Sequence, residues 1–143
     1  MTNIFLDANI LIDVIDSNRQ NSKVSAKLFR SFIQNLDSYR LFTSCDLMTT
    51  VYYILRKELS KEKVLSSLKI MNKVLNVVEF GNIEIESAIE LMQENESFKD
   101  FEDTIQYIIA KKSNCEYIIS NDKKFYSLEL PILSSNKALE RFS

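Results

Sequence analysis

The stretch Asn3-Ile4-Phe5-Leu6-Asp7-Ala8-Asn9-Ile10-Leu11-Ile12-Asp13 decides the fold. Three apolar residues in a row, Ile4 to Leu6, read as a short strand buried on both faces. Asp7 ends that strand, and Asn9 to Asp16 continues as a short apolar helix. A wholly apolar strand running directly into a helix is the start of an α/β protein with a parallel sheet.

Outward from this start, strands and helices alternate. Lys23 to Leu36 carries Val24, Leu28 and Phe32 at helical spacing. Tyr39 to Thr43 is a second strand. Ser44 is placed as the N-cap of a helix reaching about Glu58, with Asp46 near its positive end. Ser60 opens a helix through Val64, Leu68, Met71 and Leu75. Asn76 to Phe80 is a third strand, closed by Gly81-Asn82. Ile83 to Glu94 and Phe101 to Ser113 are helices, and Glu116 to Ser120 is a fourth strand. Leu130 to Leu133 is a short edge strand, because Pro131 has no N–H for central pairing. Asn136 to Phe142 is a terminal helix. The expected architecture is a three-layer α/β/α sandwich with a central, mostly parallel sheet, in a single domain over residues 1–143. That length suits one core.

Composition removes whole classes of chemistry. The chain has no histidine, so a Ser-His-Asp triad, a Cys-His pair and a histidine zinc site are excluded. Its one glycine, Gly81, cannot write a phosphate-binding glycine loop. Cys45 and Cys115 fit no metal spacing and read as reduced thiols of a cytoplasmic protein. No signal peptide and no apolar run long enough for a bilayer are present, so no membrane partner is expected. The net charge of −2 is too mild for a basic nucleic-acid clamp, so any RNA contact must be local. Carboxylates are the main titratable groups left, and they suit Mg²⁺ or Mn²⁺.

The acids fall in a telling pattern. Asp7 ends the first strand, and Asp122 stands just past the fourth. Asp103 lies in the first turn of the helix before that fourth strand. A crossover helix runs antiparallel to its strands, so all three acids can reach the carboxyl edge of the sheet, where open α/β folds place their sites. This requires the first and fourth strands to be neighbours. Three carboxylates at one spot repel each other, and a divalent cation would relieve them and activate water for phosphodiester hydrolysis. An isolated Asp at any of these places would read as a cap or turn residue. Glu96, Asp100 and Glu102 read as solvated charges, with Asp100 the best placed for an outer role.

The motifs resemble a family. Ile4 to Asp13 resembles the opening motif of PIN domains, a strand ending in Asp-x-Asn before an apolar helix. Asp103-Thr104-Ile105-Gln106-Tyr107-Ile108-Ile109-Ala110 resembles the PIN helix that opens on an Asp. Ile118-Ile119-Ser120-Asn121-Asp122-Lys123-Lys124-Phe125 resembles the closing motif, a strand leading to Ser/Thr-x-Asp and then Phe. The resemblance spans essentially the whole chain. It implies a metal-dependent endoribonuclease acting on RNA, and in this size class a toxin of the VapC-like group. It also implies a cognate antitoxin protein and a homodimer. Asp7, Asp103 and Asp122 then bind Mg²⁺ or Mn²⁺ and serve catalysis. Asn9 orients Asp7 or a bound water, while Ser120 and Asn121 contact Asp122 or substrate. Lys111, Lys112, Lys123 and Lys124 are read as lying near this edge, within reach of phosphates. Tyr52 and Tyr53 are read as packing groups before stacking ones.

One departure stands out. PIN domains usually carry a further acid on the helix after the second strand, and here Thr50 takes its place. Asp46, one turn earlier on the same face, is a partial substitute. The departure leaves a rival reading, a catalytically weak PIN-like module that binds RNA or protein without cutting. Two other α/β families fit less well. A dehalogenase-type phosphatase wants Asp-x-Asp-x-Thr where Asn9 and Leu11 stand. A phosphorelay receiver wants an Asp after the third strand, where Glu79-Phe80-Gly81 stands.

Overall fold

The computed structural model describes residues 1–143. Five strands carry the fold: β1 (Thr2–Leu6), β2 (Tyr39–Ser44), β3 (Leu75–Val78), β4 (Tyr117–Ile119) and β5 (Ile132–Leu133). The helices are α1 (Ala8–Ile15), α2 (Ser22–Ile33), α3 (Cys45–Leu55), α4 (Lys61–Val74), α5 (Asn82–Glu94), α6 (Phe101–Lys112) and α7 (Ser135–Phe142). All pairings are parallel, in the order β3-β2-β1-β4-β5. The three-layer α/β sandwich read from the sequence is the observed class.

The order explains the layers. The connections β1→β2 and β2→β3 step in one direction across the sheet. The connection β3→β4 passes back over β2 and β1. Right-handed crossovers therefore put α1 to α4 on one face and α5 and α6 on the other. The contacts agree: α1 touches α2 and α3, α3 touches α4, and α5 packs on α6. α7 returns to the first face against α2. β1 is central, and Ile4, Phe5 and Leu6 are fully buried. The edge strand β5 uses Pro131 only through its carbonyl, which accepts from the Ile118 N–H at 3.0 Å.

Local chemistry sets the ends. Ser60 caps α4 by accepting from the Lys63 N–H at 3.2 Å. α6 closes with Asn114 at a positive φ of 57°. There the Cys115 N–H reaches the Ala110 carbonyl and the Asn114 N–H reaches that of Lys111, turning the chain into β4. Two expectations shift. The helix after β2 stops at Leu55 rather than near Glu58, and Arg56–Leu59 tightens into turns. Ser44 sits at the cap position of α3 but does not cap it. Its hydroxyl is oriented instead toward the Asp46 carboxylate and donates to Oδ1 at 2.5 Å.

Candidate metal and RNA site

β1 and β4 are hydrogen-bonded neighbours, with Leu6 opposite Ile119. Beyond them the chain leaves toward opposite faces of the sheet, so the carboxyl edge opens between them. Asp7 stands there as the N-cap of α1 and is only 5% exposed. Its Oδ1 accepts from the Ala8 N–H at 2.7 Å, and its Oδ2 from Asn9 Nδ2 at 2.8 Å and the Ser120 hydroxyl at 2.7 Å. Burial pushes its carboxyl above the ordinary Asp value, against the pull of the Ser120 and Ala8 hydrogen bonds, and Asp122 adds repulsion.

Asp122 is exposed at the mouth. Its backbone N–H donates to Ser120 Oγ at 3.1 Å, and its Oδ1 accepts from the Lys124 N–H at 2.9 Å. Ser120 thus couples Asp7 to the Asp122 loop through one hydroxyl. Asn121 turns the other way. Its backbone N–H donates to Asn9 Oδ1 at 3.0 Å, its Nδ2 to Asp13 Oδ2 at 3.1 Å, and its Oδ1 accepts from Ser135. Asn121 ties α1, the β4 loop and α7 together, and all its side-chain polar atoms are spent on the protein.

Asp103 comes from the first turn of α6, half-buried. Its carboxyl is pushed up to about 7, first by burial and then by Asp100, Asp7, Asp122 and Glu102. The mutual repulsion of Asp7, Asp103 and Asp122 places all three on one edge. They do not close into a ready-made cage, since no three acids or thiols are drawn tightly enough together to hold an ion unaided. The reason is visible: Asp7 is pinned by its hydrogen bonds while nothing neutralises Asp103. Asp100 is the N-cap of α6, and its Oδ1 accepts from the Asp103 N–H at 2.9 Å.

The fourth-acid position is corrected in detail. The Thr50 hydroxyl donates to the Asp46 carbonyl at 3.3 Å, so it is turned onto its own helix. The Asp46 carboxylate does face the acid edge, where it raises Glu102. Glu102 is solvent-exposed, and its carboxyl is raised within this edge. Partial burial raises its carboxyl first, followed by Asp46, Asp7 and Asp100. Lys111 and Lys112 are also corrected. They lie at the far end of α6, about 12 Å or more from Asp103 at 1.5 Å per residue. There Lys111 pairs with Glu129 and Lys112 with Glu84.

Two features escaped the sequence. An open cleft of about 910 Å³ lies at the edge, lined by the acids Glu96, Asp100, Asp103 and Asp122 and by the lysines Lys99, Lys123 and Lys124. Lys99 and Lys124 attracted no notice as a pair because they are far apart in the chain. The second is Gln106 on α6, only 1% exposed, with neither side-chain polar atom hydrogen-bonded. It follows Asp103 by three residues, on the same side of the helix. Its N–H side lies near enough to Asp7 to favour the ionised carboxylate slightly.

The donor set is all oxygen, with repelling acids and one orphaned amide beside them. Such a set fits a hard divalent cation such as Mg²⁺ or Mn²⁺, with Asp7, Asp103 and Asp122 as the groups that would hold it.

The family model of the PIN domain matches residues 3–124. The chain belongs to the PIN-domain family. It is 44% identical over 140 residues to ribonuclease VapC1 of Aquifex aeolicus (strain VF5), covering 98% of this chain and 95% of that protein. Among solved PIN folds, it resembles VapC20 of Mycobacterium tuberculosis, a sarcin-ricin loop cleaving toxin. There the TM-score is 0.69 at 17% identity, over 85% of this chain and 92% of that one. VapBC2 of Rickettsia felis, solved bound to a DNA fragment from its promoter, gives a TM-score of 0.70 at 19% identity, over 93% and 98%. These two likenesses establish the PIN fold alone. No helix of this PIN chain is long and apolar enough to cross a membrane.

Proposed function

We propose that this PIN protein is an endoribonuclease that hydrolyses RNA phosphodiester bonds with Mg²⁺ or Mn²⁺, and that it is the toxin of a toxin–antitoxin pair. The carrying observation is the cleft lined by Asp103 and Asp122 together with Lys99, Lys123 and Lys124, next to the buried Asp7, which Ser120 links to the Asp122 loop. The kinship with ribonuclease VapC1 supplies the substrate class, and the likeness to a VapBC complex supports a cognate antitoxin partner.

The residues divide the work. Asp7, held by three hydrogen bonds, is the fixed carboxylate. Asp122 and Asp103 are the adjustable ones at the mouth. Lys99, Lys123 and Lys124 meet the phosphate oxygens on either side of the scissile bond as point charges. A bound divalent cation supplies activation of water and neutralises charge developing on the phosphoryl group. Water adds at phosphorus, one P–O bond breaks, and the departing oxygen takes up a proton. Without the cation the Asp103 carboxyl is pushed up by burial and by the neighbouring acids, and binding a divalent cation would relieve that repulsion and ionise it.

The test is cleavage of single-stranded RNA by the purified chain with Mg²⁺ or Mn²⁺, and its arrest by chelator. Asp122→Asn should lower the rate at least about 100-fold with unchanged melting, because Asp122 is exposed. Asp7→Asn should also be inactive but less stable by about 1–2 kcal/mol, since its buried carboxylate organises three hydrogen bonds. RNA binding without cleavage in all metals would favour the non-cutting module instead.

A further inference from the structure

A buried primary amide with no partner is costly, about 1–3 kcal/mol for each unsatisfied group. Gln106 carries two such groups, its Nε2 and its Oε1. The rest of the buried face of α6 is satisfied differently. Ile105, Ile109 and Ala110 are apolar, and the Thr104 hydroxyl donates to the Asp100 carbonyl at 2.6 Å. A leucine at position 106 would therefore suit the packing of α6 better than glutamine does. The amide is instead placed near Asp7, three residues after Asp103 on α6, at the edge where the carboxylates repel.

We propose that Gln106 is the neutral member of the cation site, its amide oxygen holding a water of the cation shared by Asp7, Asp103 and Asp122. The inference rests on the metal-dependent reading above. It also accounts for the lost acid at Thr50. The hydroxyl there is turned onto its own helix, so the site needs an oxygen donor from another element. An amide oxygen provides one without adding a charge to an edge already crowded with acids. Gln106 is a positioning residue: it acts on the shell around the cation, not on the scissile bond.

The experiment compares Mn²⁺ binding, by calorimetry and by the electron paramagnetic resonance of free Mn²⁺, in wild type, Gln106→Met, Gln106→Glu and Asp122→Asn. Melting is followed with chelator and with Mn²⁺. Gln106→Met should bind Mn²⁺ about 10-fold or more weakly, as expected for loss of an outer-shell partner. The same variant should melt higher than wild type in chelator, because the orphaned amide is gone, and gain less on adding Mn²⁺. A merely structural glutamine would instead lower both melts together. Gln106→Glu should restore binding at least to the wild-type level. Should Gln106→Met fail to fold, binding in Gln106→Glu and Gln106→Leu decides: Glu must bind at least tenfold more tightly than Leu.

Mn²⁺ affinity in Gln106→Met within twofold of wild type, with Asp122→Asn impaired, overturns the role of Gln106 and spares the metal-dependent reading. It would mean the amide is served by a structural water. Absence of chelator-sensitive Mn²⁺ binding in the wild type itself overturns both.

Discussion

At the scale of single residues, Asp103 sets the behaviour of the site without metal. Its carboxyl titrates at about 7 in the folded chain, against an ordinary value near 4 when unfolded. Between those values the folded state holds a proton that the unfolded state has released. Stability therefore falls as pH rises from about 4 to about 7. Asp7 and Glu102, both raised, act in the same direction. Glu84 is lowered by the Gly81 N–H and Lys112, so its stabilisation is lost only on acidification below this window. Urea titrations in chelator at pH 5 and pH 7.5 should find the protein more stable at pH 5. Mn²⁺ should close the gap, and Asp103→Asn should flatten it. Greater stability at pH 7.5 in chelator would contradict the arrangement of acids.

The three principal acids were legible because each sits at a boundary that sequence pattern locates: a strand end, a helix start and a strand exit. Thr50 was visible as a departure, but where its hydroxyl points was not. Gln106 could not be found this way. A glutamine in a helix is ordinarily exposed, and only the packing of α6 against the sheet buries it. A chain reading could ask which polar residue lies one turn after the Asp103 motif, on its face, and that question would have raised Gln106.

At the scale of elements, the network around Asn121 joins pieces that are far apart in sequence. Asn121 grips Asn9 and Asp13 of α1 and Ser135 of α7 from the loop after β4. Asp13 also pairs with Arg19, whose Nε donates to its Oδ1 at 2.6 Å. Asn121→Ala should cost about 1–3 kcal/mol, since it leaves Asp13 Oδ2 without its donor and frees the start of α7. Hydrogen exchange should quicken first in α7. Uniform loss across the sheet would instead mark Asn121 as a general core residue. The sequence placed α7 and β5 within two residues of their observed bounds, yet it held no sign of this clasp. The contacts span 108 and 14 residues and depend on the parallel register.

At the scale of the whole molecule, the acids and lysines meet in one cleft on a chain of mild net charge, −2. Lys99, Lys123 and Lys124 thus lie where the acids do, so contact with RNA phosphates at the site does not depend on the net charge of the chain. If the protein is a toxin, its expression alone should slow bacterial growth, measured as colony count and translation rate. Asp103→Asn at matched expression should be harmless. Equal harm from both forms would point to expression burden and sink the toxin reading. The parallel sheet and the alternation of strands and helices followed from the apolar runs. The adjacency of β1 and β4 did not, because residues 4 and 117 meet only once the intervening helices have packed.

That central position of β1 has a consequence for the timing of synthesis. The first strand made waits for a neighbour that is made last but one. Its partner β4 and the acid Asp122 leave the ribosome more than a hundred residues after Asp7. A nascent chain that ends anywhere before β4 holds at most two of the three acids and exposes one flank of its central strand. The acid edge is thus complete only once β4 and Asp122 have been made. A copy that stops short of β4 therefore lacks Asp122 and the strand pairing that holds it over Asp7.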